Sequence, residues 1–321
     1  MKVVNQAIHF SRWCLLMGDP RVGGFCVAGV TGTPTAIDVQ RQFWDMGMSL
    51  PDTLRAGRVS RGRRHAYLFD TATQTDLARW VRRKEVLRSQ GIGDELWMPL
   101  TSEGRHWGSL ALYRESDEPL FTRNDARAAA QLAPTLAGAA RNSWITPVRS
   151  PLPPPSHAGV LLLDSTGEKV GTTLTTDQWL ARHDRTTQSE QPIIDCLRAR
   201  LNGQPEEDGT ANTLIRDAHG SWVNISASRI VDRNESGVVA VTFEAAPPEV
   251  ISDVLLHAYP FTERERQIVS LTIGEATNKE IGAYLKLSRF TVADYLKSIF
   301  AKTGAHSRND LARVMTGRLP L

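Results

Sequence analysis

Apolar residues along the chain change their spacing several times, and the changes mark elements. Val3, Val4, Ala7, Ile8, Leu15 and Leu16 predict a helix over 3–17, and 25–30 reads as a short strand. A helix with one basic side is expected from Leu77 to Leu87. The runs 95–100 and 106–113 flank Ser102, Glu103 and Gly104, which predicts strand, turn, strand. Thr122 then opens an alanine-rich helix to about Arg141. Thr122 and Asp125 are spaced as a capping box, in which hydroxyl and carboxylate satisfy free N–H groups at a helix start.

A second stretch begins with the apolar run 159–164, a turn over 165–168 and a returning strand over 169–171. A polar helical stretch follows over about 191–201. Strands over 213–217, 222–229 and 237–244 close it. Val223, Ile225 and Ala227 alternate with polar residues, as a half-buried antiparallel strand does.

Proline marks the boundaries. Five of the ten residues from Pro147 to Ser156 are proline, which predicts an extended, semi-stiff linker. Ala245-Ala246-Pro247-Pro248 makes a second break. Four units result: an α+β domain over 1–146, a linker over 147–156, a second α+β domain over 157–246 and an all-α domain over 249–321.

The last stretch reads as four short helices, about 262–273, 278–286, 289–303 and 307–317. Thr262 with Glu265, Thr277 with Glu280 and Ser307 with Asp310 have capping-box spacing, and Ser288 caps the third helix. Ile268, Leu271, Ile281, Leu285, Val292, Leu296 and Ile299 supply a common core. The middle pair, across a tight turn at Leu287, has the form of a helix-turn-helix, whose second helix enters the major groove. The expected DNA-facing residues are Thr277, Asn278, Lys279, Ser288, Arg289, Thr291, Val292, Asp294, Tyr295, Lys297, Ser298 and Lys302. Lys297 and Lys302 suit phosphate, Arg289 suits guanine, and Thr291 suits either a phosphate or a base edge.

Charge fits this reading. The 321 residues carry a net charge of +3. Residues 251–321 hold ten Lys and Arg against seven Asp and Glu, so the excess lies in the last stretch. No apolar run approaches the ~18 residues of a membrane helix, and a cytoplasmic protein without membrane contact is expected. The three cysteines, Cys14, Cys26 and Cys196, include no C-x-x-C pair, and they read as buried small hydrophobes. Eight histidines lack metal-ligand spacing. No nucleophile–base pair is visible, so neither a metal, a cofactor nor an enzymatic activity is expected.

The residues Thr262, Arg264-Glu265, Ile268, Asn278-Lys279-Glu280-Ile281, Leu285, Ser288, Thr291-Val292, Ile299, Lys302, Gly304 and Ser307-Arg308 resemble the DNA-binding domain of the LuxR family, shared with NarL/FixJ and GerE types. The run 291–304 resembles a subset common in actinobacteria. Three positions depart from the family pattern. Lys286 stands where a turn glycine is usual, Ala293 where lysine is frequent, and Tyr295 where histidine is frequent. The resemblance implies a transcription regulator that binds double-stranded promoter DNA as a homodimer, with RNA polymerase as a further partner. It places dimer contacts on the last helix, at Leu311, Val314 and Met315.

The input region excludes several controls. Asp19 is the sole acid in residues 1–20, against a phosphoacceptor receiver, and no G-x-x-x-x-G-K-[ST] motif occurs. The tryptophan-tyrosine-aspartate pattern of acyl-homoserine-lactone receptors is absent too. The order large apolar strand, turn, Trp107-Gly108-x-Leu110 strand, Phe121-Thr122-x-x-Asp125 helix resembles the C-terminal half of GAF sensor domains. The hairpin and closing strands of 157–246 resemble a PAS domain. Both imply a sensor for a small molecule or a partner, and the alternative is a scaffold switched by a protein alone. Trp44, Trp80, Trp97 and Trp107 fit either a pocket wall or a core, and Arg82 and Arg83 either an anionic ligand or a solvated helix face. Arg55, Arg58, Arg61, Arg63 and Arg64 form a basic cluster that suits DNA, an acidic partner or plain solvent.

Overall fold

The computed structural model describes residues 1–21, 27–33, 35–36, 39, 42, 66–68, 77–146, 153–182, 193–195, 197–198, 201, 208–217, 219–231 and 237–317. Trp44, the Arg55–Arg64 cluster, Cys26, Cys196, the side chains of Trp80 and Arg82, and the first six residues of the proline linker lie outside them. The chain divides into one unit of Met1–Ala140 with Ser150–Ala245 and another of Arg141–Arg149 with Ala246–Leu321.

The first unit holds two antiparallel sheets. Its elements begin with α1 (Lys2–Ala7), β1 (Arg12–Gly18), β2 (Val27–Gly32), β3 (Tyr67–Leu68), α2 (Leu77–Ser89), β4 (Ile92–Ser102), β5 (Arg105–Glu115) and α3 (Arg123–Ser143). The strands lie in the order β2-β1-β5-β4-β3. One helix was expected over 3–17, but the chain turns from α1 into β1. The correction has a tertiary cause. Trp13 and Leu15 pair with Leu112 and Leu110 on one sheet face, and Cys14 pairs with Ala111 on the other. A strand apolar on both faces has no period to separate it from a buried helix.

The motif residues 107–125 each have a physical task. A Cβ on Gly108 would lie 2.4 Å from the Leu16 carbonyl oxygen, so the close approach of β1 requires glycine. The buried Arg114 guanidinium donates to the carbonyls of His9 at 3.1 Å and Leu120 at 2.9 Å, and it sits 4.3 Å from the centroid of Phe121. The Phe121 N–H donates to Asp94 at 2.7 Å. The Thr122–Asp125 capping box forms in both directions. β5 is thereby fixed to the start of α3. Val4, Ile8, Phe10, Leu96, Met98, Leu110, Leu112, Phe121 and Ala129 bury one core against this face.

The second sheet follows as β6 (Gly159–Leu163), β7 (Lys169–Thr172), α4 (Leu174–Leu180), β8 (Thr210–Arg216), β9 (Trp222–Arg229) and β10 (Val239–Ala245). Its order, β7-β6-β10-β9-β8, repeats that of the first sheet strand for strand. Helix α4 was not anticipated. The stretch read as polar near 191–201 buries Ile193, Ile194, Leu197 and Leu201 in this sheet's core. The described end of the proline linker is fixed to the same domain. Pro153 accepts from Arg182 at 3.1 Å, and His157 accepts from the Trp179 indole at 2.9 Å.

The two sheets meet at their edges, where β2 lies beside β8. Asp19, directly after β1, has a fully buried side chain and accepts the Leu214 N–H of β8 at 2.8 Å. It also accepts from the Arg21 N–H at 3.0 Å and pairs with the Arg21 guanidinium. An edge strand's free N–H is thus satisfied by a side chain from the other domain.

The other unit is helical: α5 (Pro248–Ala258), α6 (Glu263–Ile273), α7 (Asn278–Leu285), α8 (Arg289–Thr303) and α9 (Arg308–Met315). Helix α5 adds a fifth to the four expected. The Pro247-Pro248 break is also its start, with Pro248 in the first turn where no N–H is required.

Candidate nucleic-acid interface

Side-chain caps set where α6, α7, α8 and α9 begin. The Thr262 and Thr277 side chains accept from the backbones of Glu265 and Glu280, and both glutamates reach back to the N-cap N–H. Ser288 accepts from the Thr291 N–H at 3.0 Å. Ser307 accepts from the Asp310 N–H at 3.1 Å, but the Asp310 carboxylate turns to His306, so this box closes on one side only. Hydrogen bonds from the Thr277 backbone and hydroxyl hold the Glu280 carboxyl below its ordinary range.

The turn between α7 and α8 depends on two residues. A Cβ on Gly282 would stand 2.7 Å from the Leu287 carbonyl oxygen, so the turn folds back onto a bare Cα. The Leu287 N–H returns a 2.8 Å bond to the Gly282 carbonyl. Lys286 takes the left-handed conformation, φ 57° and ψ 45°, that the turn requires. A side chain there costs about 1–2 kcal/mol relative to a right-handed residue.

Val292, Leu296 and Ile299 are buried along one side of α8. At 3.6 residues per turn the opposite stripe is Phe290, Asp294, Lys297 and Ala301, and all four are exposed. Lys297 donates to Asp294 at 3.0 Å with both side chains in solvent. Phe290 is 68% exposed, and the Arg289 guanidinium lies 4.8 Å from its ring centroid. Thr291 is exposed on one flank and Arg289 on the other, while Tyr295 is half-buried.

Four residues assigned to DNA from sequence have other work in this structure. Val292 is fully buried, so it holds α8 to the domain. Ser298 and Lys302 donate to the Glu265 carboxylate at 2.7 and 2.6 Å. Burial pushes that carboxyl up, but the bonds from Lys302, the Thr262 backbone and Ser298 outweigh it and hold it at about 2. Asn278 accepts from Arg308 at 2.6 Å, and Arg308 also donates to the Ala276 carbonyl. These bonds tie α6 to α8, and α9 to the start of α7. Thr277, Lys279, Ser288, Arg289, Thr291, Asp294 and Lys297 remain at the surface.

The residues expected in a dimer contact need a correction too. Leu311, Val314 and Met315 are buried within the domain. Helix α9 packs on α5 and α6, and Ser252 of α5 donates to the Met315 carbonyl at 2.8 Å. Any pairing through α9 uses its other face. Two of the four tryptophans suggested for a ligand, Trp97 and Trp107, are fully buried. Trp107 donates to the Ser102 carbonyl, and Arg83 lies 5.9 Å from the Trp97 ring centroid. Arg83 itself is buried against Glu95, at 2.8 Å, rather than on a solvated face.

Sequence reasoning missed Phe290, Gly282 and α5. Phe290 was legible: two residues before the core position Val292, it falls on the far side of the helix.

Residues 1–140 match the model of the GAF domain, and residues 259–315 that of bacterial regulatory proteins of the luxR family. The chain therefore carries an N-terminal GAF domain and a C-terminal LuxR-type helix-turn-helix DNA-binding domain. A curated relative, response regulator Rre1 of Synechocystis sp., is 43% identical over 53 residues, which are 16% of this chain and 23% of that protein. The chain thus spans about a quarter of the length of that relative. Solved structures to which it is similar include the VqmA–ligand–DNA complex of Vibrio cholera, at 15% identity over 52% of this chain and 86% of that one, TM-score 0.25. Escherichia coli SdiA is another, at 14% identity over 100% and 89%, TM-score 0.27. No described helix is long and apolar enough to cross a membrane.

Proposed function

We propose that the chain is a cytoplasmic, sequence-specific transcription regulator that inserts α8 into the major groove of promoter DNA. The observation that carries this is the outward face of α8. A capped, tightly turned helix pair presents Arg289, Thr291 and Lys297 to solvent, with Ser288 and Lys279 nearby in sequence at the two helix starts. Those groups suit base edges and phosphates, and helix N-termini offer N–H groups to phosphate. One such domain covers a single half-site, so a homodimer on a pseudo-palindrome follows, with RNA polymerase acting next to it. Selection of bound duplexes from a random library by the full chain tests this. Enrichment of one motif with two related half-sites, bound with steep salt dependence, is the expected result. Recovery of unselected sequence would refute it.

The input is a small molecule held by the GAF domain. The sheet face opposite the α1–α3 core carries Trp97, Tyr113, Ser109 and Glu95, with Arg83 of α2 on Glu95. Apolar walls with a few fixed polar groups are the composition of a ligand site. The second sheet repeats the strand order of the first, which supports reading 157–246 as a PAS-like partner module. A ligand shifts this protein only if it binds two states unequally. Native mass spectrometry of gently purified protein tests the input. A dimer with an added small mass supports a ligand, whereas an apo dimer that binds DNA favours a protein signal.

A further inference from the structure

Phe290 stands out on the surface of the C-terminal domain. It is 68% exposed, although its domain buries Val292, Leu296 and Ile299 from the same helix. Phenylalanine this exposed buries little apolar surface in the isolated domain, and its place is specific. It is the second residue of α8, at the end of the helix that reaches deepest toward base edges in a helix-turn-helix. It shares the outward stripe with Asp294 and Lys297, one and two turns further on. The Arg289 guanidinium at 4.8 Å from the ring centroid sets a cation beside the ring, and the two travel together toward the DNA. An aromatic ring offers the major groove no hydrogen bond. One group on the base edges there is matched by an apolar surface, the C5-methyl of thymine.

We infer that Phe290 is a specificity-determining residue that reads a thymine methyl group in the half-site, next to the base or phosphate taken by Arg289. This rests on the helix-turn-helix reading and adds a base to it. Phe290 contributes by covering a methyl group that water otherwise surrounds, so its effect depends on one methyl and is insensitive to salt. Lys297 on the same stripe acts in the opposite way, through salt and with little regard for sequence.

The test uses the full chain and the duplex motif it selects. Each thymine of that motif is replaced singly by deoxyuridine, which removes the methyl and keeps every hydrogen-bonding group. Kd is measured for the native chain and for Phe290→Ala, a variant of an exposed helical position that keeps the fold. At one thymine per half-site, the native chain is expected to bind deoxyuridine about fourfold more weakly, the worth of one buried methylene-sized group. Phe290→Ala is expected to bind thymine and deoxyuridine equally at that position. A native chain indifferent to deoxyuridine at every position overturns the inference while leaving the helix-turn-helix reading intact. So does a Phe290→Ala variant that keeps the full methyl sensitivity. A chain that selects no motif overturns both.

Discussion

Lys302 of α8 lies 2.6 Å from the Glu265 carboxylate of α6, so a lysine that sequence spacing assigns to DNA phosphate is used inside the domain. Lys297, five residues earlier, stays in solvent with only Asp294 for company. The two lysines should therefore respond oppositely to removal. Lys302→Ala should cost about 2 kcal/mol of stability, since it removes a charged hydrogen bond from a buried carboxylate. It should leave the salt dependence of DNA binding nearly unchanged. Lys297→Ala should leave stability unchanged and lower the slope of log K against log salt by about one per protomer. Thermal melts and salt titrations of both variants measure the contrast.

The turn predicts a second opposed pair. Gly282→Ala would place a Cβ 2.7 Å from the Leu287 carbonyl oxygen, and it should cost about 1–3 kcal/mol as an overpacked contact. Lys286→Gly relieves a left-handed side chain, and after the added freedom of the unfolded chain it should gain about 0.5–1 kcal/mol. Denaturant midpoints of the two variants should move in opposite directions.

Asp19 links the two sheets through the Leu214 N–H. Asp19→Ala leaves that edge N–H without its acceptor. Amide exchange at Leu214 should speed up by about tenfold or more, in line with the ~1–3 kcal/mol cost of an unsatisfied buried donor. Exchange at Val223 and Ile225, inside the sheet, should stay as it is. Hydrogen–deuterium exchange with peptide-level readout distinguishes them.

The first sheet also carries a pH dependence. Burial lowers the His106 imidazole to about 4, while the unfolded chain ionises near 6.5. Between those values the unfolded state binds more protons than the folded state. Stability should then fall as pH drops from about 6.5 to about 4, by roughly 3 kcal/mol in total. Above and below that window this group contributes no slope. His106→Gln should flatten the window, as followed by urea unfolding at a series of pH values.

The caps were the most legible part of the sequence. Thr262, Thr277, Ser288 and Ser307 each begin a helix as their spacing predicts, because a cap is a local bond between residues three apart. Tertiary effects were less legible. β1 is apolar on both faces, so only its pairing with β5 distinguishes it from a helix. The proline pair that marked a boundary also starts α5, and α5 then covers Met315. Val292 was readable as core from its spacing with Leu296 and Ile299, whereas only the packing of α6 on α8 shows that Lys302 is turned inward to Glu265. The GAF motif was readable because Gly108, Arg114 and Phe121 are bound by backbone approach and short-range bonds that leave few alternatives.

The outward and flanking residues of α8 are the proposed DNA contact. Its most direct measurement is fluorescence anisotropy of a selected duplex with the full chain and with a Thr291→Ala, Lys297→Ala double variant. We expect the variant to melt like the native chain, to bind at least tenfold more weakly and to show a shallower salt slope. Equal affinity and equal salt slope for the two chains would contradict the assignment of α8 as the reading helix.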